Sequence, residues 1–282
     1  MPTRRLQICV DNAWKDSLTF TYTSVMNPST GNLIAETPVC TSEEVEKVVT
    51  SCRAAFPGWG SKPVAVRTKI ISKFRDLLNL HFEELSVLLA TEMGKNQDEA
   101  RGDILKVIEA CELAVGTPLE LQGCSLMEAT RNHDICSYGE PVGVFLGIDL
   151  YNFPAMIPFG WFIPSCIVSG NCMVLRATTM VPQTGMRLLE LLINAGLPKG
   201  VANLVICSRK KLTELRKKPH FLQLAVCRES SPKKGYAKSG GWGCGSLWFA
   251  KRSLAPICYK VSATLRECPD RPNCCGRSGA TN

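Results

Sequence analysis

The chain has 282 residues, of which 45% are hydrophobic and 21% are charged, a composition that excludes a disordered or collagen-like protein. No run approaches the ~18 apolar residues of a membrane-spanning helix, so we do not expect an integral membrane protein. Fifteen cysteines would suit a secreted disulfide scaffold, but such scaffolds are short and the N-terminus has no signal-peptide pattern. We therefore expect a reducing compartment, either the cytoplasm or the mitochondrial matrix.

The formal net charge of +8 is concentrated at one end of the chain. Residues 1–207 contain 17 Lys and Arg against 21 Asp and Glu, whereas residues 208–282 have a net charge of +12. A segment this basic is either a nucleic-acid or membrane-surface arm or a sequence that was never selected to fold. The composition therefore predicts a boundary at about residue 207.

The N-terminal half begins with strands and continues with helices. Thr- and β-favouring residues up to Pro38 predict strands and hairpins. Thr41 and Glu44 form a capping-box pattern, and the helix that follows is expected to end before Pro57. Apolar spacing then predicts three further helices, at Val64–Leu80, Phe82–Met93 with Gly94 as its C-cap, and Asp98–Leu113.

From Pro141 the pattern changes to alternating strands and helices. The predicted strands are Val142–Ile148, Cys172–Leu175 and Val201–Ile206, and the helices between them are Ala155–Ser169 and Gln183–Ala195. This order predicts an α/β fold containing an incomplete doubly wound nucleotide-binding sheet beside a helical layer. Beyond Cys207 no helical or strand period is sustained.

Asn152 follows the first strand of this sheet, at the edge where open α/β sheets bind ligands. Its amide could donate to an oxyanion formed by attack on an aldehyde carbonyl. Alternatively, Asn152 only caps the next helix. The residue type and position leave both interpretations open.

Several segments together resemble the aldehyde dehydrogenase superfamily, and within it the CoA-acylating methylmalonate-semialdehyde dehydrogenases. The main ones are Pro141-Val142-Gly143-Val144, Tyr151-Asn152-Phe153-Pro154-Ala155-Met156-Ile157-Pro158 and Gly170-Asn171-Cys172-Met173-Val174-Leu175-Arg176. Shorter similarities occur at 27–31, 55–59, 92–95, 98–103 and 195–200. The resemblance covers residues 6–207 and implies the N-terminal part of that fold.

The resemblance implies chemistry in which a cysteine thiolate attacks an aldehyde, hydride passes to NAD, and the thioester is released to CoA. Asn152 would be the oxyanion donor, and Ile148, Asp149 and Tyr151 would line the nicotinamide side of the cofactor. Arg176 stands at the position of the family's lysine, and Thr179 at that of a glutamate, both of which hold the adenosine ribose. Because Arg is not equivalent to Lys and Thr lacks a carboxylate, we expect NAD affinity to be reduced.

Other family segments have no match in this chain. The Gly-Ser-Thr-x-x-Gly phosphate turn is replaced by a segment beginning at Glu229, which would set a negative charge against the pyrophosphate. Neither the Glu-Leu-Gly-Gly segment of the general base nor the Gly-Gln-x-Cys segment of the nucleophile is present. We therefore expect a C-terminally truncated or divergent homologue without catalysis, and without the family's homo-oligomeric assembly.

The basic end supports a second hypothesis, a non-catalytic chain that binds RNA or joins a full-length family member. Its cysteines, Cys227, Cys244, Cys258, Cys268, Cys274 and Cys275, lack the paired spacing of zinc ligands, so no metal site is expected. Its aromatic residues are scattered and form no nucleic-acid-binding motif, so this second hypothesis is the weaker one.

Overall fold

The computed structural model describes residues 4–130, 133–149, 151–208 and 211, together with the backbone of two strands at 223–226 and 259–267. The N-terminal strands are β1 (Ile8–Val10), β2 (Ala13–Lys15), β3 (Tyr22–Met26) and β4 (Leu33–Pro38). The helical layer consists of α1 (Ser42–Gly60), α2 (Val64–Leu80), α3 (Phe82–Met93), α4 (Gln97–Val115) and α5 (Thr117–Leu121).

The second half begins with β5 (Ser125–Thr130) and β6 (His133–Pro141) and then alternates between strands and helices. The alternating elements are β7 (Val144–Ile148), a π-helix (Met156–Phe162), α6 (Ile163–Val168), β8 (Cys172–Ala177), α7 (Pro182–Asn194) and β9 (Ala202–Ile206). Two strands follow, β10 (Gln223–Val226) and β11 (Tyr259–Glu267). Among the described residues, none of the helices is both long and apolar enough to cross a bilayer.

The main sheet has the order β10-β7-β8-β9-β1-β2. Strands β10, β7, β8 and β9 are parallel, and β1 pairs antiparallel with β9. Strand order therefore reverses at β7, since β8 lies on one side of it and β10 on the other. This confirms the predicted α/β class and places a topological switch point at the carboxyl end of β7.

The core lies between this sheet and the helical layer. Every residue of β7 and β9 is buried, as expected for parallel strands covered on both faces. Phe74 of α2 packs against Phe159 of the π-helix, with ring centroids 6.4 Å apart. The site residues that follow β7 are thus supported by two packed layers.

The capping box at the start of α1 is present as predicted, because Thr41 accepts from the Glu44 amide and Glu44 accepts from the Thr41 amide. The prediction that α1 ends before Pro57 is wrong, since the helix runs to Gly60. Pro57 lies in the last turn, where only one helical hydrogen bond is lost to it. Trp59 is buried and fixes that turn against the core.

The loop between α3 and α4 depends on a glycine. Gly94 caps α3 in the left-handed region at φ 78°, as the sequence predicts. A Cβ atom there would lie 2.6 Å from Cγ of Pro28. No other residue could therefore bring this loop so close to the β3–β4 turn.

The predicted single helix over Ala155–Ser169 is instead a π-helix followed by α6. Pro164 has no N–H to donate, and its ring would crowd a carbonyl four residues earlier. In the wider turn that precedes it, the Ile163 amide donates to the Pro158 carbonyl, five residues back. The predicted helix is therefore divided into two helices of different type next to Pro164.

A three-stranded sheet, in the order β11-β6-β5, was not predicted. Almost every residue of β5 is exposed, so its sequence has no alternation of buried and exposed positions to reveal it. Strands β10 and β11 lie in 208–282, where the sequence predicted no sustained strand, and that expectation is wrong for these two segments. The boundary at residue 207 stays a prediction.

Candidate functional site

Four of the predicted site residues lie together at the carboxyl ends of β7 and β8. Ile148 is opposite Arg176 in the parallel register, and the Asp149 amide donates to the Arg176 carbonyl at 3.1 Å. Ile148 and Asp149 are buried, whereas Tyr151 beyond them is 46% exposed. The sheet therefore offers a rigid edge at its switch point, followed by an accessible aromatic residue.

Asn152 lies in the turn between β7 and the π-helix. The helix cap position is Ala155, and it has no side-chain cap hydrogen bond, so the interpretation of Asn152 as a helix cap is wrong. Its side-chain Oδ1 is buried and has no hydrogen-bond partner among the described residues. The amide of Asn152 is thus held at the switch point without a capping role.

Phe153, the next residue, is held by a pair of charges from the helical layer. The Lys95 ammonium lies 4.2 Å from the centre of the Phe153 ring and 2.5 Å from a carboxylate oxygen of Asp103. The side chains of Lys95 and Asp103 are only 16% and 11% exposed, so solvent screens this pair weakly. Sequence analysis identified Lys95 and Asp103 only as parts of matching segments and missed this contact.

Arg176 is half-buried and turns toward β9. Its Nε and Nη2 atoms donate to the Cys207 carbonyl at 3.3 and 3.1 Å. Lys211 reaches the same region, with its Nζ 2.5 Å from the Cys40 carbonyl. Thr179 is half-buried in the bend after β8 and forms no hydrogen bond to another predicted site residue in the described part of the chain.

The segment after Thr179 is anchored by Glu92 of α3. This carboxylate accepts from the amides of Gln183 and Thr184 at 2.6 and 2.9 Å and from the Thr184 hydroxyl at 2.8 Å. Burial raises the pKa of Glu92, and these hydrogen bonds oppose that rise. The first turn of α7 is therefore fixed to the helical layer.

The buried thiols are unsuited to nucleophilic attack. Burial raises the pKa of Cys9, Cys40 and Cys172 to about 12, so these thiols remain protonated near neutral pH. Burial also raises the pKa of Cys52 and Cys111. The nine cysteines of the described ranges are all free thiols.

The described residues contain no group of three or more His, Cys, Asp or Glu side chains that could hold a metal ion. The six cysteines from Cys227 to Cys275 and Glu229 of the replaced phosphate turn lie outside the described residues. The predictions about them therefore stay predictions.

A doubly wound parallel sheet with polar groups gathered at its switch point is typical of nucleotide-binding folds. The profile of the aldehyde dehydrogenase family matches residues 14–223. This chain belongs to the aldehyde dehydrogenase family.

Individual relatives agree with this assignment. The chain is 38% identical over 202 residues to the malonate-semialdehyde dehydrogenase of Lacticaseibacillus casei, covering 72% of this chain and 41% of the relative. It is 35% identical over 199 residues to a protein of Dictyostelium discoideum assigned as an acylating, mitochondrial methylmalonate-semialdehyde/malonate-semialdehyde dehydrogenase, covering 71% and 38%. The chain therefore spans about two fifths of the length of the curated relatives that it matches.

A solved structure agrees as well. The candidate methylmalonate-semialdehyde dehydrogenase of Sinorhizobium meliloti, complexed with NAD, superimposes with a TM-score of 0.76 at 30% identity. The superposition covers 79% of this chain and 45% of that one. The fold described above is thus that of part of an aldehyde dehydrogenase.

Proposed function

We propose that this chain is a homologue of the NAD-dependent, CoA-acylating malonate and methylmalonate semialdehyde dehydrogenases that keeps part of the dinucleotide site but is catalytically impaired. The observation that carries the proposal is the switch point itself. Ile148, Asp149 and Arg176 are joined there by strand register and a backbone hydrogen bond, and Asn152 follows them with no capping role.

The described residues fit a dinucleotide in part. Tyr151 and the amide of Asn152 would face the nicotinamide end, and Arg176 and Thr179 would face the adenosine ribose. NAD, when bound, would supply a hydride acceptor. The chain's own contribution would be to orient the cofactor and to offer Asn152 as a donor to an oxyanion.

Two features support catalytic impairment. The 282 residues contain neither a Gly-Gln-x-Cys nor a Glu-Leu-Gly-Gly segment, so they offer no match to the family segments that carry the nucleophile and the general base. The described thiols with shifted pKa values are shifted upward by burial, which opposes thiolate formation. We therefore do not propose that this chain turns over an aldehyde and CoA. They are the small-molecule partners that the resemblance to its relatives implies.

We propose that this chain is located in a reducing compartment, either the cytoplasm or the mitochondrial matrix. The name of the Dictyostelium discoideum relative, which is mitochondrial, supports the second of these. The alternative function, binding of RNA or of a full-length relative through the basic end, rests on sequence composition alone.

Titration of the full chain with NADH, followed by the fluorescence of the bound dinucleotide, tests the proposal. We expect weak, saturable binding that Arg176→Ala reduces further. Arg187→Ala is the matched control, because Arg187 pairs with Glu84 and Glu190 on α3 and α7 instead of lying at the switch point. An absence of dinucleotide binding, or equal losses in both variants, would contradict the proposal.

A further inference from the structure

The carboxyl ends of β8 and β9 carry two cations that no described carboxylate neutralises. Arg176 is the second-to-last residue of β8, and Lys211 lies four residues beyond Cys207, which directly follows β9. Their side chains donate to backbone carbonyls, Arg176 to that of Cys207 and Lys211 to that of Cys40. Within the described ranges neither forms an ion pair.

The two cations act on the same small region. Burial raises the pKa of the Cys207 thiol, and the charges of Arg176 and Lys211 both oppose that rise. They therefore lie within electrostatic reach of one side chain.

The strand order places the charge of Arg176 where the adenosine end of a bound dinucleotide would lie. In doubly wound folds the adenosine ribose lies at the end of the strand next to the one that carries the switch point, which here is β8. A carboxylate at that place accepts from the ribose 2′-hydroxyl, whereas an arginine accommodates a 2′-phosphate. Here the half-buried residues are Arg176 and Thr179, which bring a guanidinium and a hydroxyl but no carboxylate. Thr178 between them is buried, and its hydroxyl accepts from the Met180 amide.

Within the part of the chain that the structure describes, the guanidinium of Arg176 is engaged on one edge only. Its Nε and Nη2 atoms are engaged by the Cys207 carbonyl, and Nη1 has no hydrogen-bond partner among the described residues. A guanidinium fixed on one side by a backbone carbonyl is already oriented, so less side-chain freedom is lost when a phosphate binds its other side.

We propose that the adenosine end of this site prefers a dinucleotide with a phosphate on the ribose 2′-oxygen, NADP⁺, over NAD⁺. The proposal rests on the proposed function, because it needs the dinucleotide to occupy the switch point. The preferred cofactor would then differ from the NAD that is bound in the Sinorhizobium meliloti structure. The residues that would set the preference are Arg176, Lys211 and Thr179.

Calorimetry with three small probes tests it on the full chain: adenosine 5′-monophosphate, adenosine 2′,5′-bisphosphate and adenosine 3′,5′-bisphosphate. We expect the 2′,5′ compound to bind about tenfold more tightly than the monophosphate, as a charge-assisted phosphate contact would give. The 3′,5′ compound has the same charge and should bind clearly less well. Equal binding of the two bisphosphates would mean that the basic chain attracts any anion, and would overturn the proposal.

Thr179→Glu should reverse the preference: the 2′,5′ compound should bind more weakly because a carboxylate faces the added phosphate, and the monophosphate should bind more tightly because that carboxylate accepts from its free 2′-hydroxyl. Met180→Glu is the control of equal charge on the neighbouring residue, which is 58% exposed. Arg176→Met is a second variant, which should lose the same preference. If all three probes and NADH fail to bind, the proposed function itself is wrong; if NAD⁺ binds as well as NADP⁺, only this inference is wrong.

Discussion

The ammonium of Lys95 lies 4.2 Å from the centre of the Phe153 ring, and this contact joins the helical layer to the segment that contains Asn152. Lys95 belongs to the loop between α3 and α4, and its partner Asp103 lies in α4. The ring of Phe153 is therefore held by a charge whose own position is set by a nearly buried carboxylate. Because Phe153 directly follows Asn152, this contact restrains the turn at the switch point.

Lys95→Met should lower the free energy of unfolding by about 1–3 kcal/mol, since it leaves the carboxylate of Asp103 without its charged partner. It should also speed hydrogen exchange of the amides between Asn152 and Met156, because the ring loses its cation. Urea unfolding and hydrogen-exchange mass spectrometry measure the two effects.

Lys106→Met is the matched control for Lys95→Met. Its ammonium pairs with Glu109 at the surface, where both side chains are about half exposed, so the expected loss is below about 1 kcal/mol. Equal losses in the two variants, or unchanged exchange next to Asn152, would show that Lys95 does not restrain this turn.

Local sequence signals predicted the elements whose causes are local. The bounds of α2 and α3, the capping box of Thr41 and Glu44, and the left-handed cap at Gly94 all follow from residues close together in the chain. The burial of β7 and β9 follows from their continuous apolar runs. These features needed no knowledge of distant contacts.

The features that were missed depend on residues distant in the chain. The contact of Lys95 with Phe153 joins positions 58 apart in number, and the bonds from Glu92 to Thr184 join positions 92 apart. Strand β5 is exposed along almost its whole length, so its pairing with β6 has no periodic signal. The site residues after β7 were predicted because they occur in one matching segment, whereas their supports are dispersed.

Glu44 should make a pH-dependent contribution to stability. Burial opposes its charge, but hydrogen bonds from the amides of Thr41 and Leu18 and the hydroxyl of Ser17 outweigh burial and lower its pKa. A carboxyl group with a lowered pKa stabilises the fold above its unfolded value of about 4.3, and that stabilisation is lost as pH falls through the folded value. Glu44→Gln should therefore cost about 1–3 kcal/mol at neutral pH and less in acid.

Urea unfolding of wild type and Glu44→Gln between neutral pH and the acid limit of folding measures this difference. The neighbouring Glu43 is exposed in the same helical turn, so Glu43→Gln should change the free energy of unfolding by no more than about 0.5 kcal/mol at any pH. If the difference in the free energy of unfolding between wild type and Glu44→Gln stays constant with pH, the prediction is wrong.

The purified chain should produce no NADH from malonate or methylmalonate semialdehyde with NAD⁺ and CoA. The oxyanion stabilisation that we propose for Asn152 cannot form a thioester by itself, and the 282 residues have no match to the family's nucleophile and general-base segments. NADP⁺ should be tested as well and should give the same result. Turnover that a thiol-directed reagent abolishes, and that persists after removal of contaminating enzymes, would show that a cysteine of this chain is the nucleophile.

Limited proteolysis should first cut the chain between Cys207 and Lys218. Residues 1–207 carry the packed layers and a net charge of −4, whereas the next residues add the paired lysines 210–211 and 217–218 and lead into a net charge of +12. Because the sequence after Cys207 sustains no helical or strand period, we expect it to open more readily than residues 1–207 and to be cleaved earlier. The competing influence is strand pairing, because β10 pairs with β7 and β11 pairs with β6 along nine residues. Mass spectrometry of the early products distinguishes the two possibilities. A stable fragment that ends near Cys207 would support the boundary. Co-purification of a peptide containing 259–267 with that fragment, or simultaneous loss of both parts, would show that the C-terminal segment is integral to the fold.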